Sequence, residues 1–140
     1  MSDSATEQPA KHYIQAGAHR LCYVEGGRKD GKPTAIFLHG WIASHQLYRH
    51  VWKELASLFH FYALDLLGFG DSDKPDSRTA AYDPPFYAES VRAFCDAVDL
   101  KEPFILIGQS MGGMVATEMS IRFPERIHKL ILIDSAGIEV

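Results

Sequence analysis

The sequence predicts an α/β protein, a mostly parallel sheet flanked by helices. Three observations carry this. Apolar runs at 35–38, 61–64, 104–107 and 130–133 show no polar alternation, as expected of strands buried on both faces. The segments between them place apolar residues at helical spacing. The runs also end in residues with chemistry to offer: His39-Gly40-Trp41, Asp65, Ser110 and Asp134.

Residues 1–10 are polar and read as a disordered tail. Residues 13–15 and 21–24 read as two strands around a turn at Gly17, and 26–33, rich in glycine and charge, as a loop. After the strand 35–38, Ser44 is placed to N-cap a helix whose apolar positions are Leu47, Val51, Trp52, Leu55 and Leu58. The strand 61–64 leads into a loop over 67–82, punctuated by Gly68, Gly70 and Pro75. Tyr87, Val91, Phe94 and Val98, at steps of four, three and four, mark one face of a second helix. Pro103 separates it from the strand 104–107. A third helix runs from Ser110 to about Phe123, apolar on most faces, and Pro124 stops it. Strand–helix alternation with short connections implies parallel strands, and such sheets collect their working groups at the carboxyl ends of the strands.

The third strand–helix junction reads Gly108-Gln109-Ser110-Met111-Gly112-Gly113. Gly-x-Ser-x-Gly between a strand and a helix lifts the serine Oγ clear of the sheet on a strained turn. The flanking glycines are needed because a Cβ at Gly108 or Gly112 would clash in so tight a turn. The Met111 N–H then opens the helix and points to where an oxyanion would form.

Composition excludes several classes. A formal net charge of −4 leaves no footprint for nucleic acid or an anionic membrane. No apolar run reaches the length of a membrane span, and the polar start, with no apolar stretch, is not expected to act as a secretory signal. Cys22 and Cys95 are too few and too far apart for a disulfide framework or a zinc site. Both are expected to be buried and reduced, which suits the cytoplasm. Gly68-Phe69-Gly70-Asp71-Ser72-Asp73 begins like a dinucleotide fingerprint, but Asp73 replaces the last glycine and Pro75 follows instead of a helix.

Together these pieces resemble the α/β-hydrolase family from about residue 11 to 140. His39-Gly40-Trp41 resembles its oxyanion-loop motif. Asp65-Leu66-Leu67-Gly68-Phe69-Gly70-Asp71-Ser72 resembles the loop after its fourth strand, and the Ser110 turn resembles its nucleophile elbow. Residues 130–137 look like the sixth strand and the approach to the lid. The likeness is strongest to esterases, lactonases, C–C hydrolases and cofactor-free perhydrolases. Epoxide hydrolases and haloalkane dehalogenases of this fold place an aspartate where this chain has Ser110.

The resemblance implies Ser110 as nucleophile and the backbone N–H groups of Met111 and Trp41 as oxyanion donors. Gly40 would allow close approach of the loop, and the Trp41 side chain would line the acyl pocket. It further implies a small ester, lactone or related carbonyl substrate, with no cofactor and no metal. In this family the triad acid follows the seventh strand and the histidine the eighth, and the chain ends just after the sixth, a core truncated before the lid. Asp134 is the candidate acid, against the stronger reading that it caps its strand. His39 is expected to hold backbone groups, His45 to be a solvated first-turn residue, and Asp65 to tie down its own loop. A sixth strand left as an apolar edge invites pairing. The chain is therefore expected to be part of a longer protein, to self-associate or meet a completing chain, or to be poorly soluble. The alternative function is a non-catalytic remnant that binds a ligand or a partner.

Overall fold

The computed structural model describes residues 8–137. Its strands are β1 (Lys11–Ala16), β2 (His19–Gly26), β3 (Thr34–Leu38), β4 (His60–Leu64), β5 (Phe104–Gln109) and β6 (Ile127–Ile133). They form one six-stranded sheet in the order β1-β2-β4-β3-β5-β6. β1 and β2 make an antiparallel hairpin, and β2 is antiparallel to β4. From β4 onward every pairing is parallel. The expected mostly parallel sheet flanked by helices is therefore present. The predicted strands are all there, several longer than their apolar runs; the expected tail at 1–10 lies mostly outside the described residues.

Each central strand feeds two cores, which is why its sequence shows no alternation. Ile36, Leu38, Tyr62, Leu64, Phe104 and Leu106 face one core, together with Val91 and Phe94 of α2 (Pro84–Ala97) and Val115 and Met119 of α3 (Met111–Arg122). Ala35, Phe37, Phe61, Ala63, Ile105 and Ile107 face the other, which Trp52 of the short helix α1 (Trp52–Leu58) completes with Tyr48. Asp83 caps α2, its side chain accepting from the Phe86 N–H.

The first helix departs from expectation. Ser44 does act as a cap, accepting from the Gln46 N–H, but it opens only a 3₁₀ turn, His45–Tyr48. Helical geometry resumes at Trp52, after Val51 at φ −125° and ψ 11°. The break means that spacing counted from Leu47 does not stay on one face. Leu47, Val51 and Leu58 are exposed, while Tyr48 and Trp52 are buried. The Tyr48 hydroxyl fixes the turn by donating to the Leu38 carbonyl at 3.1 Å. The third helix is less buried all round than its composition suggests, since Ile121 is exposed.

Strand register decides where the site lies. Leu38 pairs with Leu64 and with Gly108, and Gly108 pairs with Leu132. The carboxyl ends of the parallel strands are thus level, and the loops carrying His39, Asp65, Ser110 and Asp134 leave the sheet from the same side.

Candidate active site

Ser110 joins β5 to α3 with φ 53° and ψ −116°, a conformation that side chains rarely adopt. The turn closes on backbone. A Cβ on Gly108 would sit 2.3 Å from the Gly112 carbonyl oxygen, and one on Gly112 would sit 2.5 Å from the carbonyls of Leu38 and His39. The Ser110 N–H donates to the Ile133 carbonyl at 3.0 Å, and the Ser110 carbonyl accepts from Gly113 at 3.0 Å and Ala136 at 2.9 Å. The backbone is fully engaged, while among the described residues the Oγ of this half-buried serine makes no hydrogen bond.

The loop after β3 comes up against this turn. A Cβ on Gly40 would lie 3.1 Å from the Ser110 Cβ and 2.4 Å from the Gln109 side-chain oxygen, so any larger residue would have to push the Gln109 side chain aside and shift the Ser110 turn. Among the described residues neither the Trp41 N–H nor the Met111 N–H has a protein acceptor. Met111 stands at the first position of α3, where an N–H has no partner within the helix. The Trp41 ring is 67% exposed and packs edge-on against Phe69 at 5.3 Å. Trp41, Phe69, Tyr82 and Tyr87 wall a cleft of about 370 Å³, with Lys74 at its rim.

His39 is sealed, as expected of a structural histidine. It is fully buried; Nε2 accepts the Leu66 N–H at 2.9 Å, which leaves Nδ1 to donate to the Gly40 carbonyl at 2.8 Å. Burial holds its pKa below the usual value, against weaker opposing pulls from the Gly40 carbonyl and Asp65. The folded state therefore keeps His39 neutral while the unfolded chain takes up a proton below about pH 6.5. This contribution to stability is complete above that pH and is lost as pH falls toward the lowered native value. Melting temperature should decline over this range, and His39→Gln, though less stable, should show a flatter decline.

His45 is not the solvated residue expected from its position. It is only 4% exposed, and both its N–H (2.7 Å) and its Nδ1 (2.8 Å) bond the Asp65 Oδ1. Its Nε2 lies 3.2 Å from the Gln46 amide nitrogen. Asp65 does tie down its loop, its Oδ2 accepting the Asp71 N–H at 2.9 Å, but it reaches across to the loop after β3 as well. Burial alone would raise the Asp65 carboxyl; the bonds from the His45 side chain, the Asp71 N–H and the His45 N–H outweigh it and hold the pKa down. Cys22 joins the pair, placing a thiol, an imidazole and a carboxylate within 4.8 Å of one another. Burial and the Asp65 charge push the thiol up to about 12. A metal bound there would have to displace the His45 proton from Asp65, so the cluster fits hydrogen bonding better than ligation. Both cysteines are free and buried.

Asp134 follows β6 with φ 44°, between the backbone bonds that link Ile133 and Ala136 to Ser110. Its carboxylate is exposed and, among the described residues, makes no hydrogen bond. Sequence reasoning named Ser110, Gly40, Trp41 and Met111, which lie on two segments that meet at the Gly40–Ser110 contact. It missed the His45–Asp65 bond and the packing of Phe69 on Trp41. The only available signal for these was a histidine and an aspartate near two neighbouring strand ends.

A family model described as alpha/beta hydrolase fold matches residues 33–139. The chain belongs to the α/β-hydrolase family. One of its α/β-hydrolase relatives is a 1-acylglycerol-3-phosphate O-acyltransferase of Arabidopsis thaliana, 37% identical over 78% of this chain and 26% of that protein. Another is epoxide hydrolase 4 of Mus musculus, 34% identical over 86% of this chain and 33% of that protein. Among solved structures, a bacterial membrane phospholipase A aligns with a TM-score of 0.85 and 37% identity, over 94% of this chain and 41% of that one. The chain therefore spans less than half the length of each of these proteins.

Proposed function

We propose that Ser110 is the nucleophile of an acyl-transfer reaction on an ester, lactone or related small carbonyl compound. The observation that carries this is Ser110 itself. Its backbone is strained and fully bonded at the head of a helix; among the described residues its Oγ is unbonded, and so are the N–H groups of Met111 and Trp41 on the segments that meet there. Attack by Oγ on a carbonyl would place negative charge on the carbonyl oxygen, which those donors would stabilise. The aromatic cleft beside Trp41 supplies apolar surface for an acyl group. A serine at the elbow supports carbonyl chemistry over epoxide opening, which in this fold needs an ester formed on a carboxylate. Hydrolysis and transfer to an alcohol share the serine attack and differ only in the acceptor. The acyltransferase relative bears on that second step.

Asp134 is the acid in this proposal, by its place beside the Ser110 turn. Neither His39 nor His45 serves as the base, because both nitrogens of each ring already have partners. Among the described residues no histidine bonds the Ser110 hydroxyl. The two buried thiols suit a reducing compartment such as the cytoplasm, and among the described residues no helix is long and apolar enough to cross a membrane. The test of the proposal is covalent labelling by a fluorophosphonate, which Ser110→Ala should abolish.

A second reading, association with a partner chain, is favoured by one observation. β6 lies at the edge of the sheet, with Leu130, Ile131 and Ile133 each more than a third exposed. The chain should self-associate at micromolar concentration in analytical ultracentrifugation, and Ile131→Lys should shift it toward monomer. A wild-type chain that sediments as a clean monomer would contradict this.

A further inference from the structure

We infer that the Asp65–His45 pair is the positioning device of the oxyanion loop: it sets where the Trp41 N–H lies relative to Ser110. The loop over 39–45 is pinned at two points, both to the segment that follows β4. At its start, His39 Nε2 accepts the Leu66 N–H at 2.9 Å. At its end, His45 places its backbone N–H and its Nδ1 on the single oxygen Oδ1 of Asp65, at 2.7 and 2.8 Å.

Between the two pins the loop has little of its own to hold it. Trp41 and Ile42 are 67% and 80% exposed. Ile42, a β-branched residue, stands at φ 51°, in the left-handed region that such side chains rarely adopt. Strain of this kind persists only where the surroundings over-determine the backbone. Besides the Phe69 contact with Trp41, the pins supply that constraint. Their anchor is rigid in turn. Asp65 Oδ2 is held by the Asp71 N–H, the Asp65 carbonyl accepts from the Ser72 hydroxyl at 2.6 Å, and Ser72 Oγ accepts the Cys22 N–H at 2.8 Å from the neighbouring strand. The pair looks like a catalytic histidine–aspartate dyad, but its free nitrogen is covered by Gln46 rather than aimed at Ser110. Its chemistry is to fix a strained loop, with the aspartate as shared acceptor.

The test uses the chain labelled with 5-fluorotryptophan, whose two fluorine resonances are assigned by Trp41→Phe. Trp52, buried against Phe61 in the core on one face of the sheet, is the internal control. His45→Asn keeps an amide nitrogen at the place of Nδ1, whereas His45→Gln carries its nitrogen one bond further out and loses the bond to Asp65. In His45→Gln the Trp41 resonance should move at least half way to its unfolded-chain position, with Trp52 unmoved; in His45→Asn both should stay near native positions. A Trp41 resonance that ignores His45→Gln, or two resonances that move together, would overturn the inference. If His45→Gln does not fold, a folded His45→Asn with native Trp41 supports the pair, and an unfolded His45→Asn assigns His45 to the core instead. The inference rests on the Trp41 N–H being an oxyanion donor. The fluorine signal does not require Ser110 to react, so a chain that refuses phosphonate while keeping the coupling would remove the catalytic proposal alone.

Discussion

Gly108→Ala is expected to cost about 3 kcal/mol or more of stability, at the top of the usual range for overpacking. The new Cβ would meet the Gly112 oxygen at 2.3 Å, the Gly112 carbonyl carbon at 2.5 Å and the Gly113 Cα at 2.7 Å. All three are backbone atoms at the head of α3, so no side chain can swing aside. Moving α3 away does not relieve the clash cheaply. Gly112 is itself packed against the Leu38 and His39 carbonyls, and the buried face of α3, with Val115, Ala116 and Met119, is closed against the core. Interiors packed this closely transmit such a displacement rather than absorb it. Gly31→Ala is the control: its Cβ would meet nothing within 4 Å, and only the backbone preference at φ 69° is at stake, roughly 1 kcal/mol. Urea midpoints of the two variants should differ accordingly. Equal midpoints would mean that the elbow is looser than its glycines indicate.

Asp65→Ala is expected to cost about 4 kcal/mol, which leaves a domain of ordinary stability barely folded. The carboxylate accepts the His45 N–H, the His45 Nδ1–H and the Asp71 N–H, all at 2.7–2.9 Å. Removing it strands two buried donors of His45 together with a third at Asp71. Each loses a charge-assisted bond of about 1.5–3 kcal/mol, and the losses are not fully additive. Asp65→Asn should cost less but not be neutral. One amide oxygen remains, while the amide nitrogen is forced against an N–H that also needs an acceptor. The exposed pair of Lys11 with Asp71 makes the contrast: its geometry is as short, at 2.8 Å, yet water screens it, and Asp71→Ala should change little. Thermal unfolding that ranked Asp71→Ala alongside Asp65→Ala would refute this account of the buried site.

What the sequence made legible follows from local causes. Residues 35–38, 61–64 and 104–107 are apolar without alternation because both faces of β3, β4 and β5 are covered, and a single chain records that directly. Gly108 is legible because a Cβ is forbidden by its own turn, and Gly112 because the motif sets that turn against the end of β3. The helix after Ser44 misled because the break at residues 49–51 is made by the Tyr48 bond to Leu38, a contact across layers rather than along the chain. His45 misled for the same reason. Its partner is twenty positions away at the end of another strand, and nothing in the spacing of the two residues says that the loops cross. Phe69 read as a loop residue and turned out to be the surface on which the His39 and Trp41 rings rest, at 5.6 and 5.3 Å.

The central claim is that Ser110 is a nucleophile served by an oxyanion hole. The most direct measurement is the intact mass of the folded chain after exposure to a fluorophosphonate, with the urea-unfolded chain and Ser110→Ala alongside. Elbow and hole alone retain part of a serine hydrolase's rate when a triad partner is lost. The account therefore predicts a single adduct on Ser110, formed slowly but faster than in the unfolded chain and absent from the variant. A folded chain that gains no adduct, or gains one that survives Ser110→Ala, would contradict it.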